Sequence, residues 1–124
     1  MARILVIDDQ PGVREMIAMM IQRAGHECFE ARDGNRGLKL VEQVNLDLVI
    51  TDILMPEKEG IETIIELRKR FPAIRVVAIS GGGDSKKFDY LPMAEKLGAH
   101  ATLRKPFDQA ALLGIVENLL SAEG

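Results

Sequence analysis

The stretch Leu46-Asp47-Leu48-Val49-Ile50-Thr51-Asp52-Ile53-Leu54-Met55-Pro56 constrains the fold more than any other part of the chain. It is rich in Leu, Val and Ile and hardly alternates between apolar and polar, as expected of a strand covered on both faces in a parallel sheet. Pro56 ends the strand and opens a loop. Asp52 therefore closes a central strand at its carboxyl end, the edge where open α/β sheets place their ligand sites.

The remainder reads as further strand–helix units. Ile4 to Ile7 is a first apolar strand that runs into Asp8-Asp9. Pro11 suits a first helical turn, Val13, Met16, Ile17, Met20 and Ile21 recur at helical spacing, and Gly25 stops the helix. His26 to Ala31 is a more polar strand, expected at an edge; Asp33-Gly34 reads as a turn, and Leu38, Val41 and Val44 mark a second helix. Beyond Pro56, Ile61, Ile64, Ile65 and Leu67 mark a third helix, ended by Phe71-Pro72. Ile74 to Ile79 is a fourth strand ending in Ser80, and Gly81-Gly82-Gly83 a flexible turn. Leu91, Ala94 and Leu97 mark a short fourth helix, with Pro92 in its first turn and Gly98 at its end. Ala101 to Leu103 is a fifth strand ending in Arg104-Lys105-Pro106, after which Asp108 caps a last helix carrying Leu112, Ile115, Val116 and Leu119. Alternation of this kind predicts an α/β fold, a parallel sheet with helices on both faces. One domain over 1-124 is expected, without linker or internal repeat.

Composition removes several function classes. A net charge of -3 lacks the basic footprint of a nucleic-acid binder. No apolar run approaches the ~20 residues that span a bilayer, and the N-terminus reads as a strand rather than a signal peptide. Cys28 is the only cysteine, which excludes an internal disulfide and fits a reducing compartment. We read it as a small apolar residue of an edge strand, Met16, Met19 and Met20 as helix packing, and His26 and His100 as without chemical role. The basic run Arg68-Lys69-Arg70 suits a helix carboxyl end.

The strand ends carry the chemistry. Asp8 and Asp9 follow strand one, Asp52 closes strand three, Ser80 and the Gly81 amide follow strand four, and Lys105 follows strand five. In a parallel sheet all of these share one rim. Gathered carboxylates repel one another and lose solvation unless a cation neutralises them. An all-oxygen site of this kind suits a hard cation such as Mg²⁺. A carboxylate facing a metal and a lysine is equipped to become an aspartyl phosphate. Each residue alone has a plainer reading: Asp8 and Asp9 as helix caps, Asp52 and Ser80 as turn residues, Lys105 as a surface charge.

On Asp8-Asp9, Asp52-Ile53-Leu54-Met55-Pro56 with Gly60, Ser80-Gly81 and Lys105-Pro106-Phe107, in that order and spacing, the chain resembles the receiver domain of bacterial two-component response regulators over essentially its whole length. The resemblance implies a five-stranded, doubly wound, flavodoxin-like (βα)5 sheet of order 2-1-3-4-5. It implies that Asp52 accepts a phosphoryl group from a histidine kinase's phosphohistidine. Asp9, Asp52 and the Leu54 carbonyl would ligate Mg²⁺, Asp8 acting through water, while Ser80, the Gly81 amide and Lys105 bind the phosphoryl oxygens. A cis Lys105-Pro106 bond is implied too. The implied setting is cytoplasmic, with a histidine kinase or phosphotransfer protein as donor and a separate effector protein as target. The family also uses the face of helix four, strand five and helix five for dimers or targets, and Tyr90-Leu91 with Phe107 could form an apolar patch there.

Two departures stand out. Thr102 occupies a position where many members carry Tyr or Phe, so the aromatic half of the family's switch is absent or replaced. The Gly81 to Asp89 loop is long and glycine-rich, which suggests ordering on phosphorylation. Leu54 and Gly82 offer no side chain to position a water, so slow hydrolysis of the phosphoryl group is expected. The competing readings are a Mg²⁺-dependent phosphohydrolase, against which stands the lack of a cap domain, an interaction module that has lost phosphorylation, and flavin binding, which lacks a phosphate-cradling loop after strand one.

Overall fold

In the computed structural model, residues 1–53, 59–81 and 91–121 are described. They form β1 (Arg3–Ile7), α1 (Pro11–Arg23), β2 (Glu27–Ala31), α2 (Gly34–Gln43), β3 (Leu48–Asp52), α3 (Glu59–Arg70), β4 (Arg75–Ser80), α4 (Leu91–Lys96), β5 (Ala101–Arg104) and α5 (Gln109–Ser121). The strands are parallel in the order β2-β1-β3-β4-β5, so β2 is an edge, as its polarity suggested, and β3 is central. Every residue of β3 is buried, which explains why its sequence does not alternate.

Two apolar layers sandwich the sheet. On one face Ile4, Val6, Leu48, Ile50, Val77 and Ile79 meet Ile17 and Ile21 of α1 and Leu112 and Val116 of α5. On the other, Leu5, Ile7, Val49, Val76 and Ala78 meet Val41 of α2, Ile64 and Leu67 of α3, and Leu91 and Ala94 of α4. Fully burying one such aliphatic side chain contributes about 1.5–3 kcal/mol.

Helix ends follow local chemistry. Pro11 opens α1, and Gly25 adopts φ +96 just past its end, where a side chain would be strained. Asp108 accepts the Ala111 N–H at 2.8 Å, capping α5 as expected. Asp33 does the same for α2, accepting from Arg36 N at 2.8 Å, so Asp33-Gly34 is a helix start rather than a free turn. Gly37 packs α2 closely onto the sheet: a Cβ there would lie 2.5 Å from Ile7 Cδ1.

Some packing differs from the expectation. Met16 and Met19 are 42% and 49% exposed, and Ile65 is 42% exposed, so these do not serve the core. The buried stripe of α1 is Ile17, Ala18 and Ile21, and Val13 and Met20 pack against the core beside it as expected. Leu91 and Phe107 pack on opposite faces of the sheet and cannot share a patch, and Tyr90 lies outside the described residues.

Candidate acidic functional site

The parallel arrangement brings the strand ends onto one rim. Asp52 is 5% exposed at the end of β3. The ladder continues one step beyond it, Ile53 N–H donating to Ile79 O at 2.9 Å. Thr51 Oγ1 donates to the Asp52 carbonyl at 3.2 Å. Across the site, α3 begins directly on this backbone. A Cβ added to Gly60 would overlap Asp52 O and Ile53 Cα and sit 3.0 Å from Ile53 C. Only glycine lets the helix start so close to the strand end.

Asp8 is 1% exposed and held from all sides. Its N–H donates to Ala31 O at 3.2 Å, its Oδ1 accepts from Gln10 N at 2.9 Å, and its Oδ2 accepts from Lys105 Nζ at 3.2 Å. Asp9, next in sequence, is exposed. Carboxylate oxygens of Asp8, Asp9 and Asp52 all lie within 4.8 Å of one another. Lys105 Nζ also sits 3.6 Å from Asp52 Oδ2, so one ammonium lies beside two of the three clustered carboxylates. That surplus of hard anionic oxygens fits a divalent cation such as Mg²⁺, which neutralises what Lys105 cannot.

Ser80 is buried at the end of β4, with Gly81 half-buried after it. Its carbonyl accepts from Lys105 N at 2.8 Å, which ties strand four's end to the lysine. The Lys105-Pro106 bond is cis, as expected. Asp8, Asp9, Asp52, Ser80, Gly81 and Lys105 are thus all on the predicted rim. Leu54, Gly82 and the loop from Gly82 to Asp89 lie outside the described residues. Thr102 is half-buried, in register with Ala78. Two residues of this neighbourhood escaped the sequence reading. Arg14 of α1 donates from Nη1 to Asp8 O at 2.9 Å and from Nε to Glu30 Oε1 at 3.2 Å. The only available signal was a cation one turn into the helix that follows Asp8-Asp9.

The class of protein is a doubly wound parallel sheet whose carboxyl rim gathers three aspartates and a lysine. The chain belongs to the response regulator receiver domain family, whose model matches residues 4–117. It is 30% identical over 121 residues to Protein PilH of Pseudomonas aeruginosa, covering 98% of this chain and 99% of that protein. It is 31% identical over 106 residues to Sporulation initiation phosphotransferase F of Bacillus subtilis, covering 86% and 83%. Among solved structures, the response regulator protein TrrA of Thermotoga maritima in complex with Mg²⁺-BeF matches with a TM-score of 0.83 at 31% identity, covering 96% of this chain and 99% of that one. The chain spans only 17% to 26% of the length of the first curated relatives it matches. It is a phosphoacceptor signalling switch of the two-component type.

Proposed function

We propose that Asp52 is the phosphoacceptor and that residues 1-124 act as a single receiver unit. In the forward step an Oδ of Asp52 attacks the phosphorus of a phosphohistidine on a kinase or phosphotransfer protein. The P–N bond breaks, and an aspartyl phosphate forms. Lys105 takes one phosphoryl oxygen, and Ser80 and the Gly81 amide take another. Asp9 and Asp52, with the Leu54 carbonyl, would hold Mg²⁺, and Asp8 would bind it through water. Held there, the cation would offset charge on the phosphoryl group. Water attack at phosphorus later breaks the P–O bond to Asp52, releasing inorganic phosphate and restoring the carboxylate, so the catalysis is confined to the chain's own phosphorylation and dephosphorylation. With no side chain at Leu54 or Gly82 to orient that water, the phosphoryl group is long-lived.

The observation that supports this reading is the excess of carboxylate over ammonium on one rim, with Lys105 within 3.6 Å of both Asp8 and Asp52. Moving a switch from 1:99 to 99:1 takes about 5.5 kcal/mol. New charge-assisted bonds at ~1.5–3 kcal/mol each to Lys105, Ser80 and the cation supply that. The change is read on the surface of α4, β5 and α5 by an effector protein or a second copy of the chain. Thr102 stands in β5 where many members carry the aromatic, so that half of the switch is absent or replaced. The chain works in the cytoplasm; no described helix is long and apolar enough to cross a membrane.

Incubation with Mg²⁺ and acetyl phosphate, followed by intact-mass measurement, tests the assignment. The wild type gains one phosphoryl group, and neither Asp52→Asn nor wild type without Mg²⁺ does. An adduct that survives Asp52→Asn would overturn it.

A further inference from the structure

We infer that Arg14, braced by Glu30, is a positioning residue that aims Asp9 at the divalent cation; this rests on the metal reading given above. The argument starts from the peptide that joins Asp8 to Asp9. Asp8 has its N–H, both carboxylate oxygens and its carbonyl oxygen engaged, whereas Asp9 is exposed. The Asp8 carbonyl belongs to the planar unit that ends at Asp9 Cα. Arg14 Nη1 grips that oxygen at 2.9 Å, so the guanidinium fixes the plane from which the Asp9 side chain departs.

The grip is itself anchored. Arg14 Nε donates to Glu30 Oε1 at 3.2 Å, and the Arg14 side chain is only 17% exposed. The planar fork spans both partners at once, which the single ammonium of a lysine would not do. One side chain of α1 therefore couples the β1–α1 loop to edge strand β2. Partners that orient metal-binding carboxylates without touching the metal typically change affinity by 10–100-fold.

Charge and positioning predict opposite signs here, which makes the inference testable. By charge alone, removing a cation beside three carboxylates tightens Mg²⁺ binding. By positioning, it weakens it. Mg²⁺ is titrated into the unphosphorylated protein while the backbone amide signals of Asp9 and Gln10 are followed by NMR. Arg14→Gln should weaken Mg²⁺ binding by ~10-fold or more, and Arg14→Lys should move in the same direction although it keeps the charge. Glu30→Gln should weaken binding too, and should add nothing in the Arg14→Gln background. Acetyl phosphate labelling of Arg14→Gln should recover when Mg²⁺ is raised to saturation. Wild-type binding that saturates, with equal or tighter binding in Arg14→Gln, would overturn the role of Arg14 alone. A wild type that shows no saturable Mg²⁺ response would overturn the metal reading and this inference with it.

Discussion

The two rims of the sheet are built from the same strands yet treat their polar groups in opposite ways. At the amino rim, residues just before strands close the ladder with their own side chains. Asp47 donates its N–H to Arg3 O and accepts from Arg3 N through Oδ2, both at 2.9 Å. His100 donates to Val76 O at 2.8 Å and accepts from Val76 N through Nδ1 at 3.0 Å. His26 Nδ1 accepts from Ala2 N at 3.1 Å; its proton is then on Nε2, which meets Glu117 Oε2 at 2.7 Å. At the carboxyl rim, Asp8, Asp9 and Asp52 cluster together, with Lys105 beside Asp8 and Asp52. The amino rim satisfies its own groups and stabilises the fold. The carboxyl rim gathers like charges, three carboxylates whose oxygens lie within 4.8 Å of one another, and the proposed site is there. Such sites are commonly held at a cost in stability.

The largest expected effect comes from breaking the boundary between the reactive rim and the helix that covers it. Gly60→Ala forces a methyl into the Asp52 and Ile53 backbone, so either α3 or the end of β3 must shift. Overpacking against backbone should cost about 3 kcal/mol in urea unfolding, and acetyl phosphate labelling of Asp52 should slow markedly. Near-normal stability and labelling would show that α3 can retreat without disturbing the acceptor.

Next in size are two removals of an aspartate charge, one from each rim, which should have opposite signs. In chelator, Asp52→Asn relieves repulsion among buried carboxylates and should stabilise the protein by about 1 kcal/mol. Adding Mg²⁺ should shrink that advantage, since the cation favours the wild type. Asp47→Ala leaves Arg3 N–H without its acceptor and should destabilise by about 1 kcal/mol, independently of Mg²⁺. Thermal melts of both variants, with and without Mg²⁺, check the signs. If both variants move the same way, the contrast between the rims fails.

How legible each rim was in the sequence differs for a physical reason. A parallel sheet lines up the carboxyl ends of its strands, so reading the residue after each apolar run was enough to assemble Asp8, Asp9, Asp52, Ser80 and Lys105. Ladder contacts at the amino rim join a side chain to the backbone of another strand. His26 and His100 reach residues 24 positions away, and no local periodicity encodes that. Each is a structural hydrogen-bond acceptor. Arg14 was missed for the same reason, because its partners are a carbonyl and a carboxylate on other elements. Met16 fits the helical period, yet it and Met19 are exposed, since flexible thioethers are tolerated on a surface, while Val13, Ile17, Met20 and Ile21 of the same period do pack inward. Cys28 behaved as read: burial, reinforced by Glu30, pushes its thiol up to about 12, so alkylation at pH 8 should be slow until the protein unfolds.

The smallest effect concerns pH and the amino rim. Burial, and then the nearby cations of Arg68 and Arg75, hold His100 below its ordinary value of 6.5. The neutral ring is also the form required, because a protonated Nδ1 cannot accept from Val76 N. The unfolded chain therefore takes up a proton at this histidine before the folded chain does. Its contribution to stability is present above about pH 6.5 and is lost as pH falls from there toward the depressed folded value. The ring is substantially exposed, so solvent screening keeps the pH-dependent part below about 1 kcal/mol. His100→Ala should cost about 0.5–1 kcal/mol at pH 7.5 and less at pH 5. Urea unfolding of wild type and variant at both values isolates this histidine, since the carboxylates of the other rim titrate in both proteins alike. A difference that grows as the pH falls would mean that the charged ring has found a partner, and that this part of the amino rim responds to pH through charge rather than through the loss of an acceptor.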